Sequence, residues 1–255
     1  MLRLEEVSIY RGDLCVADKI SAEFERGKIY AVLGPNGAGK SSLLSTLFAE
    51  LRFRGKISFK GEPLNLKSQF SWKKKIAYMP QDTSVDASLS ALEVVLLGML
   101  DRLGLYLSDE QLSSALEIMQ KLGIEHLAHK DILNLSGGQR QMVMFASVLI
   151  KTPEILLLDE PVSALDMHHQ CVLLENVRKY TYENGLLTIM ILRDLSLAAQ
   201  FADEILILHN ANIKAKGGAK EVLTRQIIEP VYRVRAEVFE GFGGKPVIVA
   251  REALL

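Results

Sequence analysis

A chain of 255 residues, 49% of them hydrophobic, can bury a substantial core as one large α/β domain or two modest lobes, and disorder is not expected. Its 30 Lys and Arg against 31 Asp and Glu leave a formal charge of −1, without the basic excess of a nucleic-acid binder, and the local run Lys73-Lys74-Lys75 reads as a solvated face. Cys15 and Cys171 are far apart and form no C-x-x-C unit, which argues against a disulfide framework or zinc site and fits a reducing compartment.

Taken in chain order, the first part alternates as strands do. Leu2, Leu4, Val7 and Ile9 are apolar, and Ile20, Ala22 and Phe24 alternate with Ser21, Glu23 and Glu25. Turns are expected at Arg11-Gly12-Asp13 and Arg26-Gly27-Lys28. The short apolar strand Ile29 to Leu33 leads into Gly34-Pro35-Asn36-Gly37-Ala38-Gly39-Lys40-Ser41-Ser42, after which Leu43 to Phe48 reads as helix. Gly55 to Pro63 and Lys75 to Gln81 are further strands, the second stopped by Pro80.

From about Thr83 to Leu133 the pattern turns helical. Ala91 to Leu103 is apolar and broken by Gly98, and Ser108 with Gln111 three residues on predicts a helix start, with Gly123 as its end. Ser136-Gly137-Gly138-Gln139 opens a helix reaching about Ile150. Glu154 to Glu160 holds a continuous apolar run ending in two acids, the pattern of a strand buried on both faces. A helix is expected from about Met167 to Glu183, then a buried strand over Leu186–Leu192, a helix over Leu195–Phe201 and a strand over Glu204–Leu208. Lys214 to Gly218 reads as a turn into the last segment. The N-terminal residues Met1 to Glu6 carry acids where a secretory signal carries bases, and no apolar run approaches the roughly 20 residues of a membrane span. The chain is therefore expected to be soluble by itself, and if it works at a membrane, other subunits must hold it there.

Three stretches carry chemistry. Gly34–Ser42 has the form G-x-x-x-x-G-K-[ST] between a strand and a helix, the context in which that pattern binds phosphate. Glycines let backbone N–H groups curl around phosphate oxygens, and the helix points its positive dipole end at the same anion. Lys40 adds a cation for the β- and γ-phosphates, and Ser41 offers a hydroxyl to Mg²⁺. Alone, the motif says nucleotide binding and no more. Asp159 and Glu160 end a strand at the sheet edge where open α/β folds bind ligands. Asp159 would hold Mg²⁺ through its water shell, and Glu160 would take a proton from water attacking the γ-phosphate. The bland alternative for Glu160 is a surface acid that ends a strand. Ser136–Gln139 is a second glycine-rich anion nest at a helix N-terminus, in which Ser136 alone could be a plain N-cap.

Leu135-Ser136-Gly137-Gly138-Gln139, with the other two stretches, makes the chain resemble the ATP-binding cassette ATPases over essentially its whole length. The resemblance implies an α/β, P-loop NTPase (RecA-like) core with an N-terminal antiparallel β part and an inserted α-helical lobe. Residues 1–82 and 135–217 would form the nucleotide-binding core, 83–134 the lobe and 218–255 a C-terminal segment. It implies ATP and Mg²⁺ as cofactors. Gln81 would be the glutamine-loop residue that senses γ-phosphate and Mg²⁺, and Ser163-Ala164-Leu165-Asp166 the loop that crosses a dimer interface. Tyr10 would stack on adenine, or else be a core or edge tyrosine. Each ATP of a homodimer would lie between Gly34–Ser42 of one copy and Ser136–Gln139 of the other. Integral-membrane permease subunits, and indirectly a substrate-binding protein, would be the partners of a peripheral subunit on the cytoplasmic face of the membrane.

One position departs from the family pattern. Arg193 stands where the family has a histidine, and arginine only donates hydrogen bonds and keeps its charge. Arg193 weakens hydrolysis, or substitutes for the histidine by neutralising phosphate charge, or is a misaligned position of no consequence; the three remain open. Finer similarities, in Ser88–Gly98, Asp194–Asp203, and Gly218–Thr224 through Val231-Tyr232, are to the ATPase subunits of importers for iron-siderophore, haem and vitamin B12. The resemblance implies the ATP-hydrolysing subunit of such an importer, the alternative being a cassette with weakened or regulatory hydrolysis.

Overall fold

The computed structural model describes residues 1–82, 87–99 and 107–254. The chain runs β1 (Leu2–Arg11), β2 (Leu14–Phe24), β3 (Lys28–Leu33), α1 (Lys40–Leu47), β4 (Phe53–Phe59), β5 (Glu62–Pro63), α2 (Gln69–Lys74) and β6 (Ile76–Met79). Helices α3 (Ala91–Leu97), α4 (Asp109–Lys121) and α5 (Gly137–Leu149) follow. Then come β7 (Ile155–Asp159), α6 (Met167–Asn184), β8 (Leu187–Ile191), α7 (Leu195–Phe201), β9 (Glu204–His209) and β10 (Asn212–Gly217). The chain closes with α8 (Ala219–Val222), α9 (Arg225–Tyr232), β11 (Val234–Glu240) and β12 (Pro246–Ala253).

Among the described residues, one sheet has the order β10-β9-β3-β8-β7-β6, and a second, antiparallel sheet has the order β2-β1-β4-β5. Strands β9, β3, β8, β7 and β6 run parallel, with β10 antiparallel at the edge. Both faces of the parallel sheet are covered, which is why β3, β7 and β8 are apolar at nearly every position. On one face Tyr30, Val32, Ile155 and Leu157 pack with Leu2, Leu4 and Phe24 of the antiparallel sheet and with Leu43 and Leu44 of α1. On the other, Ala31, Leu33, Leu156 and Leu158 pack with Phe145, Leu173 and Val177 of α5 and α6.

Local signals placed several helix ends correctly. Ser108 caps α4 in a reciprocal capping box with Gln111, and Gly123 follows the helix with φ +72°. Ser90 and Glu93 form a further box at the start of α3. The expected extension of that apolar stretch to Leu103 lies outside the described residues beyond Met99. One expectation is corrected. Lys214 to Gly217 is not a turn but part of β10, whose alternating exposed lysines keep a sheet edge from pairing further. The turn lies earlier, at Asn210-Ala211, where both residues have positive φ.

Parallel alignment is what assembles the site. Val32 of β3 and Asp159 of β7 are both level with Ile191 of β8. The segments leaving these strands, Gly34 onward, Glu160 and Arg193, therefore emerge at one sheet edge. Met79 of β6 is level with Leu158, so Gln81 emerges there as well.

Candidate nucleotide site

The loop between β3 and α1 is shaped by its glycines at two points. Gly34 has φ +144°, and a Cβ there would lie 2.2 Å from the Leu208 carbonyl oxygen. Gly39 has φ +94°, and a Cβ there would lie 2.4 Å from the Val16 carbonyl oxygen. Backbone from β9 and β2 thus closes on the loop, which only glycine permits. Lys40, nearly buried, donates from Nζ to the carbonyls of Gly34 at 2.8 Å and Pro35 at 3.0 Å. Burial lowers its pKa, against the opposing pull of Glu160 and Asp159.

Asp159 and Glu160 are 3% and 7% exposed, so neither is the surface acid of the bland alternative. Burial raises the Asp159 pKa, opposed by a hydrogen bond from the Ser41 hydroxyl. Asp159 Oδ1 is buried and has no hydrogen-bond partner among the described residues. Glu160 sits at φ +51°, an uncommon conformation for a residue with a side chain, and its carbonyl accepts from Ser163 N at 3.2 Å. Glu160 Oε2 accepts from Gln81 Nε2 at 3.0 Å and pairs with Arg193 Nε at 2.6 Å. The carboxylate in turn raises the Arg193 pKa.

Lys40, Ser41, Gln81, Asp159, Glu160 and Arg193 are therefore one cluster. Two other expected groups, among the described residues, share no hydrogen bond or ion pair with it. Ser136 Oγ accepts from Gln139 N at 3.3 Å while Gln139 Oε1 accepts from Ser136 N at 3.2 Å, so the side chains of the nest satisfy each other, with Gly137 exposed and Gly138 half-buried. Ser136 is thus an N-cap in geometry, which leaves the N–H groups of Gly137 and Gly138 without a partner among the described residues. Tyr10 lies beneath the Arg54 guanidinium, 5.5 Å from its ring centre, in a depression it shares with Glu5, Ser8 and Lys19.

A different hollow, of about 420 Å³, adjoins Pro35–Ala38 of the loop. Leu14, Cys15, Val16, His209–Ala211 and Val231–Arg233 form the rest of it, and Tyr10 does not line it. The Tyr232 hydroxyl is hydrogen-bonded to the Gly34 backbone, and burial pushes its pKa up to about 12. No spacing in the sequence announces that α9 reaches back to the first glycine of the loop, because the contact joins residues about 200 positions apart in the chain.

Comparison with known proteins gives this geometry a family. The model of the ABC transporter family matches residues 17–163. The hemin import ATP-binding protein HmuV of Vibrio anguillarum is 37% identical over 237 residues, spanning 91% of this chain and 90% of the relative. The ferric enterobactin transport ATP-binding protein FepC of Escherichia coli K12 is 32% identical, spanning 97% and 93%. The solved structure of cbiO1 from Clostridium perfringens, part of the ABC transporter complex cbiONQ, matches with a TM-score of 0.79 at 26% identity, over 90% of this chain and 92% of that one.

Proposed function

Because the chain belongs to the ABC transporter family of ATP-binding cassettes and is an ATP-hydrolysing importer subunit, we propose that its site works only when two copies meet head to tail. The phosphate loop of one copy would hold ATP, and the Gly137 and Gly138 N–H groups of the other would close on the γ-phosphate. What supports this reading is that the side chains of the nest bond to each other and, among the described residues, share no hydrogen bond or ion pair with the Lys40–Glu160 cluster. The loop cluster gathers Lys40, Gln81, Glu160 and Arg193, while Ser136 and Gln139 cap each other and Gly137 is exposed. ATP then acts as a ligand that shifts an open–closed equilibrium, and hydrolysis reverses the shift.

Within the cluster, Lys40 neutralises the β- and γ-phosphates, Glu160 accepts the proton of the attacking water, and Gln81 holds the Glu160 carboxylate in place. The residues fit Mg²⁺. Asp159 presents a buried oxygen without a partner, and the Ser41 hydroxyl lies against the same carboxylate. Bound there, the ion would supply charge neutralisation at the phosphates.

The transported material is read from the relatives named above: a haem or a ferric siderophore. Permease subunits would bind this chain at the cytoplasmic face of the membrane, and a substrate-binding protein would deliver to them. No helix among the described residues is long and apolar enough to cross a membrane, which agrees with a peripheral subunit. Co-purification of the untagged subunits encoded beside this chain, with transport of labelled haem and labelled ferric siderophore into vesicles, tests the reading. Absence of both a membrane partner and transport overturns it.

The Arg193–Glu160 ion pair favours a second reading, a cassette whose hydrolysis is weakened at rest. ATP turnover measured with and without the co-purified permease separates the two: a cassette that stays silent in the complex is a binding module.

A further inference from the structure

We propose that His169 is a positioning residue that sets the Gly137-Gly138 nest and ties it to the loop leaving Glu160. His169 is the third residue of α6, and its backbone N donates to the N-cap Asp166 Oδ1 at 2.9 Å. Its ring returns to the same carboxylate, with Nδ1 at 2.8 Å from Oδ1 and 2.9 Å from Oδ2. These contacts assign the Nδ1 proton toward Asp166 and fix the ring plane. The far side of the ring lies on the nest. A Cβ built on Gly138 would fall 2.5 Å from His169 Cδ2 and 3.0 Å from Nε2. A side chain at position 138 would have to displace the imidazole, which packs against the nest.

Asp166 is the last residue of Ser163–Asp166, the loop that begins at the strained Glu160 turn. Two amides brace that path. Gln141 Nε2 of α5 donates to the Pro161 carbonyl at 2.8 Å, and Gln170 Nε2 of α6 donates to the Leu165 carbonyl at 3.0 Å. A physical chain therefore runs from Glu160 through residues 161–166 to His169 and onto Gly138. In the head-to-tail dimer proposed above, on which this inference rests, Glu160 serves one nucleotide and Gly138 the other. His169 then transmits the state of one site to the second, without touching substrate itself.

The test uses the full chain in a Glu160→Gln background, in which ATP persists. The ATP concentration for half-maximal dimerisation is measured by light scattering for this protein and for added His169→Leu and His169→Asn changes. ADP affinity is measured in parallel as a readout of the phosphate loop alone. His169→Leu, which keeps bulk and loses the N–H donor, is expected to raise the ATP requirement about tenfold while ADP affinity stays unchanged. His169→Asn carries an amide N–H on the atom corresponding to Nδ1 and should restore most of the loss. Dimerisation of His169→Leu at the parent ATP concentration overturns the inference. So does a parallel loss of ADP affinity in both variants, which would make His169 merely structural. Failure of the Glu160→Gln protein itself to dimerise with ATP overturns instead the head-to-tail reading beneath it.

Discussion

Arg193 Nε lies 2.6 Å from Glu160 Oε2, the same carboxylate oxygen that accepts from Gln81 Nε2. A carboxylate that must take a proton from water is thus already engaged by a permanent cation. The side chain of Arg193 is 58% exposed while that of Glu160 is 7% exposed, so the guanidinium is the mobile partner. A phosphate arriving beside Lys40 offers Arg193 a second anion, and hydrolysis requires the arginine to leave Glu160 or share it.

Arg193→His should therefore raise ATP turnover, by roughly tenfold or more, with nucleotide affinity little changed. Imidazole can both donate and accept, and when neutral it leaves the carboxylate without a cation against it. Steady-state phosphate release together with equilibrium nucleotide binding checks this. Equal turnover of the two proteins removes the inhibitory role of the ion pair.

Glu160→Gln keeps the shape of the side chain and its contact with Gln81 while removing the base. Turnover should fall by about 10²–10⁴-fold, and ATP should now hold a stable dimer visible by size-exclusion chromatography. Turnover at the parent rate would assign the proton to another group.

Asp159→Asn tests the buried carboxylate. Burial raises the folded-state pKa of Asp159, so the folded chain holds this proton more tightly than the unfolded chain. The group thus favours the fold below its unfolded pKa, and that advantage disappears as pH rises through the folded pKa. Once its proton is lost, the parent carries a buried charge that asparagine lacks. The nucleotide-free variant should melt about 2–4 °C higher at pH 7, and the difference should shrink toward acid pH. The same variant should lose the extra stabilisation that Mg²⁺ gives the parent in the presence of ATP. Thermal melts across pH, with and without MgATP, provide both readouts.

Gly34→Ala and Gly37→Ala should differ in severity. Both positions have positive φ, but a Cβ on Gly34 meets the Leu208 carbonyl at 2.2 Å whereas a Cβ on Gly37 meets nothing within 4 Å. Gly37→Ala carries conformational strain alone, about 1 kcal/mol, and Gly34→Ala must also displace β9, for about 1–3 kcal/mol or more. Denaturant unfolding ranks the two, and equal midpoints would refute the close approach of β9 to the loop.

Much of this molecule is legible locally. The phosphate loop, the acids after β7, and the Ser108/Gln111 and Ser136/Gln139 caps are short-range patterns, because glycine conformations, caps and apolar runs act over a few residues. Strand and helix alternation likewise places the cluster residues at strand ends. The side of a strand on which a residue lies is harder to read. Tyr10, for example, lies under Arg54, a placement set by the pleat and the register shifts of β1. The β11–β12 pairing, the Tyr232–Gly34 bond and the His169–Gly138 contact likewise correspond to no short-range pattern.

The sequence alone thus determined which groups of this protein can touch phosphate and which family its spacing resembles, because those properties reside in contiguous residues. Only the tertiary structure decided that Arg193 grips Glu160, that Gln81 shares the same oxygen, and that the nest rests on an imidazole held by Asp166. Each of those contacts depends on strands or helices brought level by packing, and their separation along the chain carries no trace of it.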